Sequence, residues 1–158
     1  MFLANAYKNH YFQVTVPDAN NFTGTSNNVQ GSLFYMYDPK TVLILSLQHD
    51  FNKSPSNGSE SVAYHRYLSK LAVNRELLKD LSLSVSTTYR QDRYNNFDVM
   101  RTTLKRRDKT SIVDLSLNYK LNSSISIGIN GNYMDNNSNL ATSTYINKKA
   151  SLTLTYLF

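Results

Sequence analysis

The sequence predicts an all-β chain of antiparallel up-and-down strands, and three observations predict it. Apolar and polar side chains alternate with a period of two over most of its length, as on strands with two unlike faces. The connections between these stretches alternate between short and long, and aromatic residues gather at the ends of the stretches. Together they point to an antiparallel up-and-down transmembrane β-barrel, with about eight strands in the chain as part of a larger barrel.

The last stretch is the clearest. Ala150, Leu152, Leu154, Tyr156 and Phe158 alternate with Ser151, Thr153 and Thr155, so one face is apolar and the other hydroxylic. An edge strand of a soluble sandwich could show the same alternation, but the terminal aromatic fits the interfacial girdle of a membrane barrel. The ending also resembles the C-terminal signal of bacterial outer-membrane proteins, which the barrel assembly machinery reads.

From the start, residues 2–16 read as a strand whose parity is unclear, followed by a loop at Pro17–Asn21. Residues 28–37 place Val29, Gly31, Leu33, Tyr35 and Tyr37 on one face, and Asp38-Pro39-Lys40 is a tight turn. Residues 41–51 set Leu43, Leu45, Leu47 and Phe51 against Ser46, Gln48 and Asp50. A polar loop at 52–60 leads into the weaker alternation of 61–74, with Arg66 and Lys70 opposite Tyr67, Leu71 and Val73. After a short connection at 74–80, residues 81–90 set Leu81, Leu83, Val85 and Tyr89 against serines and Arg90. A long charged loop is expected at 92–108. Residues 111–121 and 124–134 alternate cleanly about a tight turn at Asn122-Ser123, and a loop at 135–139 precedes the final strand, from about Ser143 to Phe158.

Composition sets bounds. The 158 residues are read as one barrel domain, or its C-terminal portion, over 1–158. With no cysteine there is neither a disulfide framework nor thiolate chemistry. No run approaches the roughly 18 apolar residues of a membrane helix, and barrel strands average to a negative mean hydropathy because they alternate. The N-terminus lacks a basic region followed by a long apolar one, which reads as a chain that continues something longer.

The alternation assigns faces. Leu45, Leu83, Leu117, Ile127 and Leu154 are expected to face lipid, and Asp50, Arg66, Lys70, Arg90, Asp114, Asn118, Lys120, Asn130 and Lys149 to face a lumen. Tyr35, Tyr37, Tyr119, Tyr133, Tyr156 and Phe158 form the aromatic girdle; Tyr94 and Tyr145 are also placed near the long-loop ends. Arg101, Lys105, Arg106, Arg107 and Lys109 form a basic cluster in the longest loop, where they either meet lipopolysaccharide phosphates or are merely solvated.

A family resemblance rests on Arg107-Asp108-Lys109 entering a strand, Leu117-Asn118-Tyr119-Lys120-Leu121, Asp135-Asn136-Asn137-Ser138-Asn139, Tyr145 and the closing Leu154-Thr155-Tyr156-Leu157-Phe158. Over roughly residues 41–158 these stretches resemble the C-terminal strands of the β-barrel porin type 2 family and are similar to the barrel of surface lipoprotein assembly modifiers. The resemblance implies an outer-membrane barrel of more than eight strands, found with envelope or exopolysaccharide export systems. It carries over no catalytic or ligand role.

Nothing in the sequence calls for catalysis. His10, His49 and His65 lack metal-ligand spacing, and no nucleophile elbow or glycine-rich phosphate loop occurs, so no catalytic residue, metal or cofactor is expected. The basic cluster lacks the interleaved aromatics of a nucleic-acid module, and Asn57-Gly58-Ser59 is a chance sequon in an Asn- and Ser-rich loop. The expected partners are outer-membrane lipid, lipopolysaccharide, the barrel assembly machinery and envelope export systems. Two function classes stay open. One is a porin-like channel or export conduit for polar solutes or envelope polymers; the other is a closed eight-stranded barrel acting as an adhesin or structural protein. The small inward side chains suit a wet wall better than a filled interior, which favours the first.

Overall fold

The computed structural model describes residues 2–9, 24–53, 63–97 and 104–157. They form eight strands: β1 (Phe2–Asn9), β2 (Gly24–Asp38), β3 (Thr41–Lys53), β4 (Tyr64–Leu78), β5 (Leu81–Phe97), β6 (Lys105–Lys120), β7 (Ile125–Ser138) and β8 (Tyr145–Tyr156), with a 3₁₀ turn at Ala141–Ser143. The strands lie in one sheet in sequence order, each antiparallel to its neighbours, and β1 and β8 are its two edges. This is the up-and-down order that short-long alternation predicts.

The tight turns form where side chains cap the bend. At β2–β3 the Lys40 amide donates to Asp38 Oδ1 at 2.7 Å and the Thr41 hydroxyl to Oδ2 at 3.0 Å. At β6–β7 the Ser124 and Ile125 amides both donate to Asn122 Oδ1 at 2.9 Å. These are Asx turns, in which a short polar side chain replaces a backbone acceptor. At the opposite end Asn139 ties the 3₁₀ connection to β6, accepting from the Arg107 amide at 2.7 Å and donating to the Lys105 carbonyl at 2.9 Å.

Strand ends differ from expectation. β5 runs on to Phe97 and β6 begins at Lys105, so most of the expected 92–108 loop is ladder. β4 continues to Leu78, β3 to Lys53 and β7 to Ser138, each beyond its anticipated end. Backbone pairing carries polar sequence as readily as apolar sequence when neither face must be dry, so charge does not end these strands. The Pro17–Asn21 loop, His10, the sequon at Asn57, Arg101 and Phe158 lie outside the described residues.

The distribution of burial is inverted relative to a water-soluble domain. Among the described residues the buried hydrophobic side chains are Ala63 and Ala72 alone, while Leu33, Leu154 and Leu152 are 66%, 70% and 75% exposed. The most enclosed side chains are polar: Thr110 at 0%, Asn136 at 1%, Asp92 at 2% and Asp108 at 3% exposure. Water would not tolerate so much apolar surface, whereas a bilayer supplies the missing apolar contact.

Candidate functional site: the polar face of the sheet

Register defines the faces. One row across the sheet runs Asn28–Asp50–Arg66–Asp92–Asp108–Ser138, and the next Gln30–Gln48–Leu68–Arg90–Thr110–Asn136–Tyr145. Lys70, Asp114, Asn118, Lys120, Asn130 and Lys149 lie in further rows of this face. Leu45, Leu83, Leu117, Ile127 and Leu154 all lie on the other face, in register with Leu71, Leu152 and one another. Strand alternation therefore collects each set on one side.

Toward the long-connection end the polar face is a charge-paired ladder. Arg66 clamps Asp92 through Nε to Oδ1 at 2.7 Å and Nη2 to Oδ2 at 2.9 Å. Arg90 Nε stands 3.3 Å from the same carboxylate, and Arg106 binds Asp108 through contacts of 2.6–3.0 Å. The guanidinium of Arg66 lies 4.8 Å from the Tyr64 ring centroid and that of Arg106 4.8 Å from Tyr94, so each cation has a carboxylate and an aromatic face. Below them Arg90 Nη2 donates to Thr110 at 3.1 Å, Thr110 to Asn136 Oδ1 at 2.6 Å, and Asn136 Nδ2 to the Ser143 carbonyl at 2.7 Å. Asn28 and Gln48 donate to Asp50. Buried carboxylates survive here because donors surround each one.

Around Ser116 this face is small, hydroxylic and amidic. Ser116 donates to Asn130 Oδ1 at 2.6 Å and accepts from Asn118 at 3.0 Å, while Asp114 accepts from Asn132 at 2.6 Å. Gly128 makes room for Asn118: a Cβ there would lie 2.5 Å from Asn118 Oδ1. Lys70, Lys120 and Lys149 are exposed and, among the described residues, form no ion pair.

Three features escaped the sequence reading. First, the basic cluster is not a loop: Lys105, Arg106, Arg107 and Lys109 belong to β6, and alternation divides them, with Arg106 on the polar face and the others opposite. Second, Tyr94 and Tyr145 lie on the polar face, while Tyr35, Tyr119, Tyr133 and Tyr156 lie on the apolar one and Tyr37 sits at the irregular step between Met36 and Asp38. Third, the polar face is not polar throughout. Phe34, Ile44 and Ala72 form one row of it and Met36 and Val42 begin the next, with Phe34 54% and Met36 68% exposed. Their neighbours across the sheet, not their own spacing, reveal them as a patch.

An antiparallel meander with an exposed apolar face, a hydrogen-bonded polar face and, among the described residues, no enclosed apolar core has the build of an outer-membrane β-barrel wall. The model of the surface lipoprotein assembly modifier family matches residues 1–158, and the chain belongs to that family. Its members are non-enzymatic barrels of the bacterial outer membrane that assist the surface display of lipoproteins. No curated protein and no solved structure matches the chain.

Proposed function

We propose that the polar face lines a water-filled lumen, closed by more strands than these eight, and that the lumen is the path along which a lipoprotein reaches the surface. The observation that carries this reading is the openness of the polar face: Lys70, Asn118, Lys120, Lys149, Ser151 and Thr153 are all exposed. An eight-stranded barrel closed on itself leaves an interior only wide enough for its own side chains, and small ones such as Ser116, Asn118, Asn130, Ser151 and Thr153 would leave voids. On the same reading Leu45, Leu83, Leu117, Ile127 and Leu154 meet lipid tails, and Tyr35, Tyr119, Tyr133 and Tyr156 sit at the headgroups.

A conduit for lipoprotein is favoured over a porin-like solute pore by the Phe34, Met36, Val42 and Ile44 patch. A solute pore has no use for exposed apolar side chains on its wall. A passing polypeptide with apolar segments, or a lipidated one, has a resting place there. The test is photo-crosslinking in cells that export a lipoprotein, with a photoreactive residue at Ile44, Asn130 or Leu45. Adducts with the cargo are expected from Ile44 and Asn130 and not from Leu45. Adducts from Leu45 alone, or from none of the three during active export, would overturn the reading.

A further inference from the structure

The apolar face carries a groove that register and charge mark out. Gly31, Leu47, Ser69 and Tyr89 form one row across β2–β5, and Val29, His49, Tyr67 and Gln91 the next. Gly31 and Ser69 supply almost no bulk, and around them Val29, Leu47, His49, Tyr67 and Tyr89 border an open hollow of about 400 Å³ on the surface. A Cβ on Gly31 would meet nothing within 4 Å, so the hollow comes from missing side-chain volume and not from crowded backbone. His49 stacks on Tyr67 with centroids 4.6 Å apart and on His65 at 5.6 Å, giving the groove an ordered aromatic wall.

The next row toward the long connections is cationic. It runs Phe51–His65–Arg93–Arg107, and Lys109 lies beside it opposite Gln91. Arg93 and Arg107 are direct cross-strand partners, an arrangement that repels unless an anion lies between them. Arg93 leans over the groove, with its guanidinium 6.0 Å from the Tyr67 centroid and Nη2 donating to Gln91 Oε1 at 3.4 Å. Asp92 and Asp108, the adjacent carboxylates in sequence, lie on the opposite face and are taken up by Arg66, Arg90 and Arg106. Among the described residues the carboxylate on the groove's side nearest to these cations in register is Asp135, one row below Lys109 and paired with Ser111.

An apolar hollow beside a row of cations that form no ion pair among the described residues fits one chemistry, an acyl chain joined to a phosphorylated headgroup. We infer that this groove binds a lipid A moiety of lipopolysaccharide, with an acyl chain along the hollow from Gly31 and Leu47 to Tyr67 and Tyr89 and a phosphate across Arg93, Arg107 and Lys109. The assignment rests on the reading above that this face meets lipid, and on the long connections lying at the cell surface, where lipopolysaccharide forms the leaflet. Charge complementarity selects the phosphate; the apolar lining selects the chain.

The experiment is native mass spectrometry of the full-length protein in detergent micelles with added purified lipid A or phosphatidylglycerol. The variants are Gly31→Leu, which adds bulk where a Cβ meets nothing within 4 Å, the double variant Arg93→Glu/Arg107→Glu, and Lys149→Glu on the opposite face as control. Heat-modified mobility on gels verifies that each variant is folded. The wild type and Lys149→Glu are expected to retain lipid A equally, and the other two to retain at least about tenfold less. Equal retention by all four proteins, or equal uptake of phosphatidylglycerol, would overturn the assignment. Quenching of a fluorophore at Leu45 by spin-labelled lipid separates the two failures. Quenching without lipid A binding removes only this site; absent quenching removes the lipid-facing reading itself.

Discussion

At the scale of single residues, adjacent positions have opposite environments. Leu117 lies on the apolar face beside Leu83 and Ile129, while Asn118 lies on the polar face and donates to Ser116. Leu117→Arg should therefore make folding into lipid vesicles less favourable by about 2–4 kcal/mol, the midplane cost of a lipid-facing arginine, and Asn118→Arg should cost far less. Indistinguishable urea titrations of the two would show that the faces are misassigned. Asp92 gives a second contrast. Its carboxylate is 2% exposed and is clamped by Arg66. Arg66→Met strips the bidentate partner from a buried charge, an event that costs about 3–5 kcal/mol, and Asp92→Asn in the same chain should recover much of that loss. A double-mutant cycle in the same titration measures it; additive losses would mean that the pair is not coupled. That Leu117 and Asn118 take opposite faces was legible from alternation alone. That Asp92 is clamped by Arg66 was not, because Arg66 stands 26 residues away and only the register unites them.

At the scale of the element, β5 and β6 extend past the point where the sequence turns charged. Reading Arg101 to Lys109 as a loop follows the rule that charge runs are solvated, and the rule fails because alternation sends Asp92, Asp108 and Arg106 to a face where each charge finds a partner. Arg93 and Arg107 are paired residues in the ladder, so their Cα atoms should lie at the roughly 4.5–5.5 Å of antiparallel partners, within disulfide range. The chain has no cysteine, so Arg93→Cys/Arg107→Cys gives a background-free test. Mild oxidation should close a disulfide within the monomer, whereas Arg93→Cys/Arg106→Cys should close one poorly, since Arg106 points to the other face. The reverse order of yields, read on non-reducing gels, would restore the loop. The groove at Gly31 and Ser69 belongs to this scale too. Each residue looks unremarkable in its own strand, and only the pairing of four strands sets them side by side with Tyr67 and Tyr89.

At the scale of the whole molecule, charge on the polar face is arranged unequally. Asp92 and Asp108 are bound by arginines, whereas Lys70, Lys120 and Lys149 remain exposed without ion pairs among the described residues. Fixed cations of this kind raise the local concentration of anions in a wet pore, and salt weakens the effect as the Debye length falls below roughly 10 Å above 0.1 M. The intact barrel in a planar bilayer is therefore expected to prefer anions weakly at low ionic strength, with the reversal potential shrinking as salt rises. Lys120→Glu/Lys149→Glu should move that potential toward cation preference. A cation-selective wild type would contradict the charge assignment, and a wild type silent under every salt condition would favour a filled interior. The all-β class, the strand order and the membrane setting were legible because alternation and loop asymmetry are properties of the chain itself. The apolar patch around Phe34 and Ile44 was not, because it arises where two unremarkable strands meet.

The two edges have a further consequence for how the chain enters a membrane. Half of the backbone amides and carbonyls of an edge strand point away from its neighbour, and β1 and β8 each present such a row. In hydrocarbon every one of those groups costs several kcal/mol unless another strand pairs with it. An intermediate already immersed in lipid with its edges bare is thus too high in energy to accumulate. Insertion and edge pairing become a single event, and whatever escorts the chain to the bilayer must shield these two strands until both can pair.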